Sequence, residues 1–181
     1  GKEPFVSFAA ACPSLKDRTV TTNGVSKAYA MTGWRIGYAG GPEELITAMR
    51  TVQSQSTTNA CSVSQAAAQA ALDGDQTPVG QMTAAYRERH DYFVAALNDI
   101  DGFKCRPGEG SFYAFPEIRG ALRRMGLDED IQLVEQLLRD ADVACVPGSA
   151  FGAPDYVRMS FACSMAELEE AVKRIKRVVT A

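Results

Sequence analysis

From residue 103 onward, short runs of β-branched and aromatic residues alternate with amphipathic helical repeats, which restricts the chain to a layered α/β arrangement. Residues 103–105, 111–115, 143–146 and 156–161 have strand character. One helical repeat starts at Asp128 and carries Ile131, Val134 and Leu138. A second starts at Ser164-Met165-Ala166-Glu167 and carries Leu168, Val172, Ile175 and Val179. Serine followed three residues later by glutamate is a capping box, in which each side chain satisfies a backbone N–H of the other.

The first part of the chain has a different rhythm. Residues 19–25 read as a strand ending near Gly24, and residues 34–39 as another, bounded by Gly33 and Gly40-Gly41. Pro42-Glu43-Glu44 opens a helix expected to reach about Gln55, with the acids at the positive end of its dipole. Ser62-Val63-Ser64-Gln65 reads as a capping box ahead of an alanine-rich helix running to Leu72. Asp73-Gly74-Asp75 interrupts it. Thr77-Pro78 then opens a long helix with an apolar stripe of Met82, Tyr86, His90, Phe93, Leu97 and Ile100. The change of rhythm falls within this helix, so two domains are expected, residues 1–80 and residues 81–181. His90, the only histidine, lies on the stripe with no acid or nucleophile motif beside it, and packing is its expected role.

Composition limits the partners. The 181 residues are 46% hydrophobic and 23% charged with a net charge of -3, which is ordinary globular usage and offers no basic footprint for nucleic acid or an anionic membrane. The densest basic cluster, Lys173-Arg174 with Lys176-Arg177, is expected to be a solvated helix face. No apolar run reaches the roughly 20 residues that a membrane-spanning helix needs. Cys12, Cys61, Cys105, Cys145 and Cys163 are odd in number, widely spaced and without a C-x-x-C pair, and are expected to be reduced, buried thiols of a cytoplasmic protein. With a single histidine, no Cys/His metal site is expected. Gly1-Lys2-Glu3-Pro4 contains no initiating Met, and a fragment or processed chain is expected.

Chemistry concentrates in Gly24-Val25-Ser26-Lys27-Ala28-Tyr29-Ala30-Met31-Thr32-Gly33-Trp34-Arg35-Ile36-Gly37. Small neighbours let Lys27 approach a flat ligand closely. A desolvated lysine loses its proton and attacks carbonyls. A guanidinium one short loop away can grip a phosphate through two parallel hydrogen bonds. An aldehyde-accepting amine beside a phosphate-accepting fork suits pyridoxal 5'-phosphate. By themselves these residues leave Lys27 equally open as an exposed surface lysine, and Arg158 as a strand-end surface arginine. Trp34 and Tyr38, flanking Arg35, are read as core residues.

The segment resembles the cofactor-attachment signature of class I and II pyridoxal-phosphate-dependent aminotransferases, with Gly24, Ser26, Lys27, Gly33, Arg35 and Gly37 in matching positions. The run from Ser26 through Gly37 to Tyr38 is most similar to the bacterial aspartate aminotransferase branch. One departure is Gly24, where some relatives carry a phosphate-binding serine; Ser26 is the substitute candidate. Val146-Pro147-Gly148-Ser149-Ala150-Phe151-Gly152 resembles a family loop over the active site. Tyr156-Val157-Arg158-Met159-Ser160-Phe161-Ala162 resembles the strand whose arginine clamps the substrate α-carboxylate. Ser111-Phe112-Tyr113 also resembles a family segment, although strand packing accounts for it.

The resemblance implies the C-terminal part of the cofactor-binding large domain over residues 1–80 and an α/β small domain over residues 81–181. It implies Lys27 as catalytic Schiff-base residue, Ser26 and Arg35 as further cofactor contacts and Arg158 as substrate contact. Amino-acid and 2-oxo-acid substrates follow, as does a homodimer in which Thr57-Thr58-Asn59 faces the partner subunit. The implied reaction is transamination between aspartate and 2-oxoglutarate. Transfer from an aromatic amino acid or prephenate, and a non-catalytic aminotransferase-like module, remain the alternatives. Family members are much longer than this chain. The residues that pair with the cofactor's ring nitrogen are expected outside it, and the 181 residues alone are expected to be inactive.

Overall fold

The computed structural model describes residues 4–180; Gly1, Lys2 and Glu3, on which part of the expectation about the chain's start rests, lie outside the described residues. Two compact units meet within one helix, one spanning Pro4–Met82 and the other beginning at Thr83.

In the first unit, α1 (Phe8–Ala11) and a 3-10 turn (Pro13–Arg18) precede β1 (Thr21–Gly24) and β2 (Gly37–Gly40). β1 and β2 pair antiparallel, with Thr21 opposite Gly40 and Gly24 opposite Gly37. Both strands are shorter than their apolar patterns predict. Residues Thr32–Trp34 tighten into a 3-10 turn, and Arg35 then takes a left-handed conformation (φ 54°), so β2 cannot start before Ile36 has turned inward. Trp34 and Tyr38 are not core residues: they are 47% and 44% exposed.

α2 (Glu43–Ser56) starts one residue after Pro42, which takes the N-cap rather than the first helical position, with Glu43 and Glu44 in its first turn as expected. α3 (Ser62–Asp73) forms without the expected capping box. Cys61 occupies the N-cap position, so Ser62 is already helical, and Gln65 Nε2 instead donates to the Ala60 carbonyl at 2.7 Å. The core of this unit is small. Val25, Ile36 and Ala68 are buried, with Tyr29, Met31 and Ala60 against them. Tyr29 also donates its hydroxyl to Gln76 Oε1 at 2.9 Å, while Gln76 Nε2 donates to the Ala71 and Gly74 carbonyls.

α4 (Thr77–Asn98) runs through the boundary. In the second unit its stripe delivers Phe93 and Leu97 to the interior, followed by Ile100. β3 (Tyr113–Ala114), β4 (Val146–Pro147) and β5 (Val157–Ser160) form an antiparallel sheet in the order β3-β5-β4. Tyr113 lies opposite Ser160, and Val146 opposite Arg158. The expected strand at residues 103–105 reduces to one bridge between Lys104 and Glu117.

Three further helices complete the unit: α5 (Arg119–Met125), α6 (Asp130–Ala141) and α7 (Met165–Thr180). α5 was not expected, because Arg-Gly-Ala-Leu-Arg-Arg-Met is too short to display a repeating stripe; it ends at Gly126 in a left-handed cap. α6 starts two residues later than Asp128, with Glu129 and Gln132 forming its capping box. Its buried face is Leu133, Leu137 and Ala141, whereas Ile131 and Leu138 are exposed. Two adjacent apolar stripes run along this helix, and periodicity alone does not choose between them. α7 has its predicted cap: Ser164 N–H donates to Glu167 Oε2 at 2.7 Å, and Glu167 N–H to Ser164 Oγ at 3.2 Å. The Ser164 N–H first, and then the Ser164 hydroxyl, which donates to the same Oε2 at 2.7 Å, hold the Glu167 carboxyl below its ordinary pKa.

The basic cluster on α7 is more than a solvated face. Arg174 pairs with Glu170 and Asp142, Lys176 pairs with Asp99, and Arg177 donates to the Asp140 carbonyl. The charges therefore tie α7 to the ends of α4 and α6.

Gly102 and Gly120 allow the turn after α4 to pass against α5. A Cβ on Gly120 would lie 2.7 Å from Gly102 Cα, and Gly102 itself sits at φ +87°. Gly120→Ala should therefore destabilise this unit by about 1–3 kcal/mol, the usual cost of overpacking against unyielding neighbours. Gly80→Ala, within α4 and with nothing inside 4 Å of the added carbon, should stabilise by about 0.5–1 kcal/mol. Urea unfolding midpoints test both, and an unchanged midpoint for Gly120→Ala would contradict the close approach.

Candidate functional site

The loop between β1 and β2 is anchored at both ends by buried apolar residues. Val25 is fully buried and Ile36 is 8% exposed, and each sits directly beside the paired glycines that close the hairpin. Between these anchors the backbone turns tightly: Tyr29 N–H donates to the Val25 carbonyl at 3.3 Å and Ala30 N–H to the Lys27 carbonyl at 3.2 Å. Ser26 is half-buried at the start of this turn, and Lys27 is exposed on it. Gly24 has a local reason: a Cβ there would sit 3.0 Å from the Ile36 carbonyl oxygen. A serine at this position would push the two strands apart by a few tenths of an ångström.

Arg35 leaves the 3-10 turn in the left-handed region, so its side chain emerges before the strand pleat begins. Its Nη1 donates to the Thr32 carbonyl at 3.2 Å, and it forms no ion pair among the described residues. Ser26, Lys27 and Arg35 therefore share one loop, with an amine and a guanidinium both exposed. That donor set fits an anionic aldehyde. The Thr57-Thr58-Asn59 loop belongs to the same unit and is strained. Thr58 has φ 65°, an unfavourable value for a β-branched residue, and its N–H is held by the Gln53 carbonyl at 2.9 Å.

Arg158 belongs to the second unit, in the middle of the central strand β5. Val157, Met159 and Phe161 alternate into the core, and this puts Arg158 on the opposite face. Its guanidinium carbon lies 4.4 Å from the centroid of Tyr113 and 4.6 Å from that of Phe151. Tyr113 reaches it diagonally from β3, and Phe151 from the 3-10 turn Gly148–Phe151. No carboxylate among the described residues pairs with Arg158. A half-buried, always charged fork is thus packed against two rings with its N–H donors left for an external acid. Strand packing alone accounts for Tyr113 along the chain; the diagonal contact that gives it a second role has no signature there.

Membership of a family now follows from comparison with known proteins. Residues 2–175 match the family described as Aminotransferase class I and II. The chain belongs to that family. It is 53% identical over 182 aligned residues to an aspartate/prephenate aminotransferase of Nitrosomonas europaea, covering 97% of this chain and 46% of that protein. It is 52% identical over 176 residues to an aspartate aminotransferase of Rhizobium meliloti, covering 94% of this chain and 43% of that protein. The crystal structure of an aspartate aminotransferase from Rhizobium meliloti superposes with a TM-score of 0.91 at 48% identity, covering 99% of this chain and 46% of that one. The chain spans about half the length of the curated relatives it matches. The α/β architecture is therefore that of about half of an aminotransferase chain.

The remaining nucleophiles of this aminotransferase chain separate by environment. All five cysteines are free, but only Cys105 is buried, against the expectation for the set. Cys61 is exposed at the N-cap of α3, where the Ser64 N–H, then the Val63 N–H and the Ser64 hydroxyl, hold its thiol below the ordinary range. Burial pushes Cys145 up to about 11 and also raises Cys105 and Cys163. His90 is held by packing and hydrogen bonds, as expected. Its ring lies edge-on to Phe161, and Nε2 accepts from Gly108 N–H at 3.0 Å, which leaves the proton on Nδ1 facing Asp91 at 2.9 Å. Among the described residues no cluster of His, Cys, Asp or Glu could hold a metal, and no helix is long and apolar enough to cross a membrane.

These environments predict an order of alkylation. At neutral pH, iodoacetamide should modify Cys61 well before Cys105, Cys145 or Cys163, the last three becoming reactive on unfolding. Peptide mapping against time measures this, and early labelling of Cys145 would contradict its desolvated setting.

Proposed function

We propose that this chain forms the C-terminal part of a pyridoxal-phosphate-dependent enzyme that transfers an amino group between aspartate and 2-oxoglutarate. The observation that carries the proposal is the Arg158 site: a guanidinium without an acid partner among the described residues, packed against the rings of Tyr113 and Phe151. A planar fork of this kind matches the α-carboxylate common to every amino-acid substrate. The names of the relatives support aspartate as the amino donor. The name of the Nitrosomonas relative also supports a second reading, in which prephenate is an amino acceptor.

Each residue has a stated task in this proposal. Lys27 Nζ would hold the cofactor by its aldehyde group, and the same amine, once released, would carry the proton removed from the substrate α-carbon. Arg35 binds the phosphate through its fork, with Ser26 as a further donor beside it. Arg158 orients the substrate by its α-carboxylate, which fixes the direction of the α-carbon–hydrogen bond. When bound, pyridoxal 5'-phosphate supplies the carbonyl that accepts the amino group and the ring that withdraws electrons from the α-carbon. The exposed amine, and a guanidinium that forms no ion pair among the described residues, lie on one anchored loop and support this donor assignment.

The functional assembly in this proposal is a homodimer with an isologous interface, and the strained Thr57-Thr58-Asn59 loop faces the partner subunit. Five free thiols support a reducing, cytoplasmic setting.

Two measurements on the protein expressed from its complete gene test the assignment. Borohydride reduction followed by peptide mapping should find a pyridoxyl group on Lys27, and the label on any other lysine would overturn that role. Arg158→Ala should lower kcat/KM for aspartate by the equivalent of about 2–5 kcal/mol, the cost of truncating one side of a hydrogen-bonded charge pair. An Arg158→Ala enzyme with nearly unchanged kcat/KM would overturn the clamp.

A further inference from the structure

We infer that Asp130 and the Gly148–Phe151 turn it anchors are positioning elements for Arg158, acting through the Phe151 ring; this inference rests on the reading of Arg158 as the carboxylate clamp. Asp130 is the one buried charged residue among the described residues, at 3% exposure. A carboxylate is costly to bury unless its oxygens are satisfied, so its partners reveal what it is for.

Asp130 is not needed to cap its own helix. Glu129 fills that role, its side chain accepting from the N3 N–H of α6, and Gln132 Oε1 returns the bond to the Glu129 N–H at 3.0 Å. Asp130 Oδ2 reaches away from the helix and accepts from the Ser149 N–H at 2.7 Å. This bond is charge-assisted, and the carboxylate lies in the first turn of α6, where the helix dipole favours negative charge.

Ser149 belongs to the turn that carries Phe151. The turn is closed by Gly152 N–H donating to the Ser149 carbonyl and Ala153 N–H to the Gly148 carbonyl, each at 3.0 Å. Gly148 N–H donates to the Tyr156 carbonyl at 2.7 Å. The turn is therefore pinned at Gly148 to the chain entering β5 and at Ser149 to α6. Phe151, itself half exposed, leaves this doubly pinned turn and brings its ring centroid to 4.6 Å from the Arg158 guanidinium carbon, with the Tyr113 ring also against it at 4.4 Å. Phe115 adds an edge-on contact to Phe151 at 6.3 Å.

An exposed arginine samples many rotamers, and ordering a carboxylate between its N–H groups costs entropy. Contact with the two rings restricts the rotamers open to the guanidinium before substrate arrives. Asp130 contributes by keeping one ring in place. Losing it weakens carboxylate binding without removing any group that takes part in bond making, so the signature is a rise in KM with little change in kcat.

The test uses the protein expressed from its complete gene, with thermal unfolding as a check on folding. Phe151→Leu and Asp130→Ala should each raise KM for aspartate roughly 3- to 10-fold, the range of a lost cation–π contact, with kcat within about twofold of wild type. Phe151→Tyr and Asp130→Asn, which retain a ring and an acceptor oxygen, should recover most of the loss. Calorimetric titration with succinate, a dicarboxylate that cannot turn over, should show the same rank order in Kd. Arg158→Ala is measured alongside. If it raises KM and Kd but Phe151→Leu leaves both at wild-type values, the positioning role is overturned and the clamp stands. If Arg158→Ala leaves both unchanged, the clamp reading fails and the inference is overturned with it. Phe151→Leu keeps the test decisive even if Asp130→Ala fails to fold, because Phe151 lies at the surface.

Discussion

The alternation of side chains along β5 is the constraint on which the second unit depends. As the middle strand of three, β5 is hydrogen-bonded on both edges, and its register leaves no freedom in which residue faces which way. Val157, Met159 and Phe161 must enter the core, where Phe93, Leu97 and Ile175 meet them. A slip of one residue would bury the Arg158 guanidinium and expose Met159, an exchange that costs far more than any local contact could return. The same alternation brings Tyr113 alongside Arg158, because Tyr113 is paired with Ser160 on the same face.

The first unit is organised by closure rather than by a core. Two short strands clamp a loop between Val25 and Ile36, and the loop's conformations are unusual: Ala30 and Arg35 are both left-handed without being glycine. Such conformations are costly and persist only where their surroundings hold them. Several large apolar side chains of this unit remain exposed, among them Trp34, Val52 and Val63. Its two-stranded sheet is thin support, since isolated hairpins are marginal in water. The unit that carries Lys27 is thus less self-sufficient than the one that carries Arg158.

What was legible in the sequence follows from how local each feature is. The cap of α7, the acidic first turn of α2 and the stripe of α4 depend on residues within a few positions of one another, and each formed as read. The Ser62 capping box did not form, because helix α3 begins at the residue that should have capped it. The stripe chosen for α6 was the wrong one of two, since only contact with the sheet selects Leu133 and Leu137 over Ile131 and Leu138. Helix α5 was missed because one or two turns contain too few residues to establish a period.

The sequence by itself determined the chemistry at hand: one lysine in a run of small residues, one arginine on the same loop, one arginine on a strand, and an α/β order of elements. These are properties of composition and spacing, and they survive any rearrangement of the parts. Only the tertiary structure decided that Arg158 lies against two rings, contributed by β3 and by the Gly148–Phe151 turn. It alone decided that Asp130, nineteen residues before Ser149, holds that turn. Such contacts join residues far apart in the chain through the register of a sheet and the packing of a helix against it. Nothing in a linear pattern specifies either.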